Sequence, residues 1–260
     1  MATSTRLFIS EPLSEDAVVG ASPDQAHYLR SVLRLKGGED IVLFNGRDGE
    51  WRARLDGVGK GWASLRVEEK RREQADGPDL WLLYAPIKRA RHDFVIQKAV
   101  ELGIARLAPV LTRRTQVERI KEQRLEANAI EAAEQCERLD VPTIDPPERL
   151  ERWLDDWPDD RWLIVCAEAG QAPPMAEVLA QARAEAGSEP AGGRTKWALL
   201  TGPEGGFSDA ELETLRHLTF VKAVGLGPRI LRAETAALAA IAVWQSILGD
   251  WGHRPPDRSG

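Results

Sequence analysis

Trp197 to Glu211 reads WALLTGPEGGFSDAE: an apolar run, a loop with three glycines, then Ser208-Asp209-Ala210-Glu211. The run Trp197-Ala198-Leu199-Leu200 has no polar face, which suits a strand covered on both sides in a parallel sheet. Ser208 followed three residues later by Glu211 has the spacing of a capping box, so a helix should start at Asp209. Strand, loop and helix in this order make one unit of an α/β fold, and open α/β sheets bind ligands beyond the carboxyl ends of their strands. Gly205 and Gly206 would let the backbone approach such a ligand closely.

A second loop of the same kind lies downstream. Gly225-Leu226-Gly227-Pro228-Arg229-Ile230-Leu231-Arg232 follows the β-like run Val221 to Val224 and leads into an apolar helical stretch, Ala233 to Leu248. Either loop alone is explained equally well as turn punctuation. Neither is a G-x-G-x-x-G between strand and helix, and no G-x-x-x-x-G-K-[ST] occurs, which excludes dinucleotide-binding and P-loop readings. A different nucleoside-containing cofactor is required.

Upstream, β-like runs alternate with helical patterns from Leu80 onward: Leu80 to Pro86, helix Asp93 to Leu102, Leu107 to Leu111, helix Val117 to Arg138, Trp162 to Ala167, helix Met175 to Ala186. Gly187 to Arg194 reads as a loop. The stretch before Lys70 differs. Short β-segments at Arg6 to Ile9, Ile41 to Phe44, Trp51 to Asp56 and Trp62 to Glu68 are separated by turn residues, which indicates a small barrel or sandwich. Within it, His27 to Arg34 has Leu29, Val32 and Leu33 at helical spacing, with Arg30 and Arg34 sharing another face. Trp51 and Trp62 read as barrel core, with base stacking as the alternative. Lys70 to Asp79 has no apolar periodicity and holds Gly77-Pro78, so the domain boundary belongs there. The division is 1–72, a linker 73–79, a second domain 80–250 and a tail 251–260.

The chain has 43% hydrophobic and 29% charged residues, which fits a folded globular protein. No stretch is long and apolar enough to span a bilayer or act as a signal peptide, so no membrane association is expected. Cys136 and Cys166 are the only cysteines and lie far apart, which suits a reducing cytoplasm and excludes a zinc site. The net charge of −6 conceals an uneven distribution. Leu80 to Arg114 holds seven basic residues against two acids, whereas Asp140 to Glu189 holds four arginines against twelve acids. The earlier stretch could face phosphate.

GPEGGFSDAE (Gly202 to Glu211) followed by LGPRILRAETA (Leu226 to Ala236) resembles the signature of RsmE-type methyltransferases in the knotted SPOUT superfamily. HYLRSVLR (His27 to Arg34), the run Lys88 to Gly103 containing FVIQKAVELG, and EAAEQCER (Glu131 to Arg138) are similar to further blocks of that family, in the same order. The resemblance spans nearly the whole chain. One departure stands out: the family's S-E-R-like triplet after the third strand is here Thr112-Arg113-Arg114, so Arg113 replaces an acid.

The resemblance implies an α/β protein with an N-terminal PUA-like small β-barrel, followed by a SPOUT α/β domain with a C-terminal trefoil knot. It implies transfer of a methyl group from S-adenosylmethionine to N3 of a uridine in 16S ribosomal RNA, within the 30S subunit, by a cytoplasmic homodimer. Cofactor contacts would come from Leu200, Thr201, Gly202, Glu204, Gly205, Leu226, Gly227, Ile230, Leu231 and Ala236; core packing is the competing role for Leu226 and Ile230. Arg232 would be catalytic, as a cation favouring the uracil imide anion. Glu234 is either its proton acceptor or a helix-end carboxylate. Arg30, Arg34, Lys88, Arg91 and Arg114 would contact phosphates, with solvated surface charge as the alternative for each. The apolar last helix would be buried against a second subunit or within one. A related SPOUT enzyme with another target nucleotide, and a non-catalytic RNA-binding protein, are the competing functions.

Overall fold

Alternation along five strands builds the first unit of the chain, seen in a computed structural model that describes residues 5–117, 120–167, 172–185 and 194–254. The strands are β1 (Arg6–Phe8), β2 (Val18–Ala21), β3 (Asp40–Phe44), β4 (Glu50–Gly59) and β5 (Trp62–Arg72), in the order β1-β3-β4-β5-β2. Ala53 and Leu55 of β4 share a core with Ala63, Leu65 and Val67 of β5, every second residue pointing inward. Trp51 joins that core. Trp62 does not: it is 53% exposed, with its indole over Gly57 and Gly59.

The helical reading of His27 to Arg34 needs correction. A short helix α1 (Pro23–His27) starts at a Ser22 capping box and passes into a π-helical turn, Tyr28–Val32. There the Leu33 N–H bonds the Tyr28 carbonyl five residues back. The wider turn breaks the 3.6-residue period, so Leu29 is buried while Val32 faces solvent. Arg34 has φ +58, outside any helix, and therefore shares no helical face with Arg30.

Residues 130–141 cluster with the first unit. Arg6 donates to the carbonyls of Ala133, Glu134 and Arg138 and to the Glu50 carboxylate, and the Phe8 N–H donates to Glu134. The buried arginine thus fixes β1 to the end of a helix far along the chain.

The second unit is a parallel sheet. Its elements are β6 (Leu80–Tyr84), α2 (Arg89–Glu101), β7 (Arg106–Leu111), α3 (Glu122–Gln135, which runs on into the first unit), β8 (Thr143–Ile144), β9 (Glu148–Arg149), α4 (Leu150–Asp155), β10 (Arg161–Cys166), α5 (Met175–Glu185), β11 (Lys196–Thr201), α6 (Asp209–His217), β12 (Val221–Val224) and α7 (Ala233–Ile247). Strand order is β12-β10-β11-β6-β7-β8, with β9 also on β7, and every pairing is parallel. Gly187 to Gly193 of the expected loop lies outside the described residues.

Leu83, Ala108, Val110, Leu163, Val165 and Leu200 fill one core of this sheet. Each large aliphatic side chain buried this way contributes about 1.5–3 kcal/mol. Helix α7 packs against α2, α5 and β11 of its own chain, which accounts for the buried face of Ala237, Ala240, Ile241 and Trp244. No helix among the described residues is long and apolar enough to cross a membrane.

Candidate active site

β10 lies between β12 and β11, so the loops leaving those two strands flank its carboxyl end. The β11 loop begins at Thr201, which is buried and accepts a hydrogen bond from the Ala85 N–H. Leu200 sends its side chain into the sheet core, leaving only its backbone to the loop. Phe207 closes over Gly202 so tightly that a Cβ there would lie 3.1 Å from the ring. The tip, Glu204 and Gly205, is exposed, and the Gly206 N–H returns to the Pro203 carbonyl.

The β12 loop supplies an apolar wall. Leu226, Gly227, Arg229, Ile230, Leu231 and Ala236 line a narrow cavity of about 40 Å³ together with Cys166 and Ala167. Gly227 has φ +105, and a Cβ there would meet nothing within 4 Å, so its constraint is the backbone conformation and not space. Ile230 is 87% exposed, which removes the core-packing reading for it. The sequence alone gives Cys166 no role at a site; its position at the end of β10 is the signal that finds it. Burial pushes its thiol up to about 12, so it is a neutral apolar wall at neutral pH. A larger cavity, about 650 Å³, opens around Trp162, Lys196 and Trp197, and no residue of either loop lines it. Position at the strand carboxyl ends, not volume, selects the site.

At the start of α7, Arg232 is the N-cap residue, exposed and without a side-chain cap bond. Glu234, in the first turn, is mostly buried; one carboxylate oxygen lies 3.5 Å from Arg91 Nε and the other is buried with no partner among the described residues. Arg91 is therefore engaged by a protein carboxylate. Nearby on α2, His92 is buried and shares a 2.9 Å hydrogen bond with the Tyr84 hydroxyl. Burial holds its imidazole below the usual value, against an opposing pull from Asp93. Lys88, Arg30 and Arg34 are exposed, the last two in the first unit.

Comparison with known proteins bears on this arrangement. The family model described as an RNA methyltransferase domain matches residues 75–245, and that of an RNA methyltransferase PUA domain matches 22–68. The ribosomal RNA small subunit methyltransferase E of Rickettsia conorii is 34% identical over 238 residues, covering 91% of this chain and 93% of that protein. The chain belongs to the RsmE family. Its RsmE relative from Synechocystis is 30% identical over 246 residues, covering 94% of this chain and 78% of that one. The crystal structure of an RsmE protein from Neisseria gonorrhoeae bound to S-adenosylmethionine is 30% identical, superposes with a TM-score of 0.83, and covers 96% of this chain and 100% of that one. The fold is thus the RsmE one, a PUA-like unit and a parallel SPOUT-type sheet.

The loop after β7 meets the β11 loop through Arg113 and Arg114. The Arg113 N–H donates to Glu211 at 2.8 Å, and Arg114 Nη1 donates to the Gly205 carbonyl at 2.8 Å. The other Glu211 oxygen accepts from the Ser208 N–H and hydroxyl in the capping box anticipated from the sequence. Burial pushes the Glu211 carboxyl up, but the N–H groups of Arg113 and Ser208, the Ser208 hydroxyl and the Arg113 charge outweigh it and hold the group below its usual value.

Proposed function

We propose that this RsmE-family chain transfers a methyl group from S-adenosylmethionine to N3 of one uridine in 16S ribosomal RNA. The observation that carries the reading is the pair of glycine loops leaving the strands on either side of β10, with Cys166, Ala167, Leu226, Leu231 and Ala236 forming an apolar wall at the β12 loop. Apolar walls beside close backbone suit a purine nucleoside with a sulfonium-bearing methionine tail. Leu226, Gly227, Ile230, Leu231 and Ala236 would hold it from one side, and Gly202, Glu204, Gly205 and the backbone of Leu200 and Thr201 from the other. The cofactor supplies an electrophilic methyl group on a sulfonium.

The chain's own residues then have two tasks. Uracil N3 is a poor nucleophile until its proton leaves, so the site must favour the imide anion and hold it in line; positioning alone can contribute roughly 7 kcal/mol or more. Arg232, exposed at the N-terminus of α7, places a cation and helix N–H groups where charge develops on the uracil oxygens. Glu234 offers an unpartnered carboxylate oxygen as proton acceptor two residues on.

Several finer features belong to the same reading. The PUA-like domain spans 1–72, joined by 73–79 to the methyltransferase domain 80–250, with 251–260 as a tail. Arg30, Arg34 and Lys88, all exposed, contact RNA phosphates. The C-terminal part is knotted, a reading supported by the pairing of Gly225 with Pro174 and the hydrogen bonds from Gly225 to Pro173 and from Met175 to Gly225. The protein works as a homodimer in the cytoplasm on the 30S subunit. Exposed Phe94 and Ile230, with the half-buried Ala239, Ala242 and Val243 of α7, support the dimer.

Calorimetric titration with S-adenosylmethionine tests the core of the proposal. The wild type should bind saturably, and Gly205→Trp, which crowds the loop tip, should not. No binding by folded wild type, even with RNA present, would remove the methyltransferase reading and leave an RNA-binding protein.

A further inference from the structure

We propose that Arg114 is a positioning residue for the cofactor loop, and not an RNA ligand: it clasps the tip Glu204-Gly205 to the loop that follows β7. The inference rests on the methyltransferase reading above and assigns the loop after β7 a place within it.

Three contacts make the clasp. The Arg114 guanidinium donates to the Gly205 carbonyl, 91 residues away in sequence. Its aliphatic stem crosses Gly205: a Cβ on that glycine would stand 3.5 Å from Arg114 Cβ and 3.6 Å from Cδ. The Arg113 N–H holds Glu211, the carboxylate that caps α6 at the far end of the same loop. The loop after β7 is itself stiffened, since the Thr112 N–H and hydroxyl both bond the Thr115 hydroxyl at 2.9 Å and the Thr115 N–H bonds the Thr112 carbonyl.

A glycine-rich loop has the most conformational freedom to lose on binding, so fixing it beforehand raises ligand affinity without touching the ligand. Both ends of Gly202 to Glu211 are already tied: Phe207 packs on Gly202, and the capping box holds Ser208 to Glu211. Between them the tip has the Gly206 to Pro203 turn and the Arg114 bond. The positive charge at position 113 fits this arrangement. An acid at 113 would face the Glu211 carboxylate with like charge, whereas Arg113 helps keep Glu211 ionised as an acceptor. This bond and the stem contact lay the Arg114 side chain across the loop tip.

The test compares wild type, Arg114→Ala and Arg114→Lys as full-length proteins, measuring S-adenosylmethionine affinity by calorimetry and the KM for RNA as a function of salt. Circular dichroism checks the fold. Arg114→Ala should weaken cofactor binding about tenfold, a loss of ~1.4 kcal/mol, with RNA KM and its salt slope unchanged. Arg114→Lys, which keeps a donor but not the fork, should recover part of that. Unchanged cofactor affinity with a raised RNA KM and a salt slope smaller by about one would make Arg114 a phosphate contact and overturn the proposal. Unchanged values in both assays would overturn it as well. A wild type that binds no cofactor would instead remove the methyltransferase reading, and the clasp role with it.

Discussion

The two ends of the second unit's sheet use arginine in opposite ways. At the amino end, Arg161 is 2% exposed in its side chain and donates to the carbonyls of Asp79 and Trp197 and to the Asp79 carboxylate. Its guanidinium lies 3.6 Å over Trp81, which also carries Arg106 at 4.3 Å, and Arg106 forms a two-pronged pair with Asp145. Among the described residues the Nε of Arg161, Trp153 Nε1 and Arg194 Nε have no partner at that end. At the carboxyl end, Arg232 is exposed with no side-chain cap bond, Glu234 keeps an unpartnered oxygen, and Ile230 projects into solvent. Interactions completed within the chain stabilise the fold. The uncommitted Arg232 and the open Glu234 oxygen lie at the end where α/β sheets bind ligands, and there they are available to one.

The comparison breaks most visibly at Arg232. Arg232→Ala should lower turnover by two to three orders of magnitude, about 3–4 kcal/mol of transition-state stabilisation. The denaturation midpoint and cofactor affinity should stay near wild type, because the side chain is exposed and uncapped. Single-turnover methylation of RNA is the measurement. Wild-type turnover would take Arg232 out of the mechanism and leave the carboxyl end without its cation.

Arg161→Ala should do the reverse. Losing charged hydrogen bonds to two carbonyls and the contact with Trp81 should cost about 3 kcal/mol of stability. The molecules that remain folded should bind cofactor as the wild type does. Arg161→Lys should recover only part, since a point charge cannot span three acceptors and stack on an indole. Urea unfolding measures this, and an unchanged midpoint would show that the amino-end network adds nothing net.

What the sequence conveyed follows the range of each signal. Leu80 to Tyr84 and Trp197 to Thr201 were legible as strands because they are buried on both faces, and such strands are continuous apolar runs. The α6 start was legible because a capping box is local. Val18–Ala21 and Leu150–Asp155 were not anticipated: a four-residue strand and a six-residue helix are too short to establish a period. The turn at Tyr28–Val32 misled because apolar spacing assumes an α-helical pitch. At the site, the glycines announced both loops, but Arg114 on Gly205, Arg91 on Glu234 and Cys166 beneath Leu226 join residues from distant segments. Periodicity reports on neighbours along the chain, and these contacts exist only once the sheet has ordered its strands.

The smallest expected effect concerns a buried pair near the open end, Tyr84 and His92. Because burial lowers the folded-state value of His92, folded and unfolded chains differ in proton uptake only below the unfolded value of 6.5. Above it both forms are neutral and the residue adds no pH dependence. As pH falls through 6.5 the unfolded chain takes up a proton that the folded imidazole resists, so stability declines until the folded value is passed. His92→Gln keeps an amide able to bond the Tyr84 hydroxyl and has no such titration. Between pH 7.5 and about 5.5, above the range near 4 where carboxylates titrate, wild type should therefore lose more stability in urea unfolding than the variant, with equal m-values. Parallel losses in the two proteins would mean that His92 is protonated as readily in the folded chain as in the unfolded one, and that the carboxyl end tolerates a charge beneath its loops.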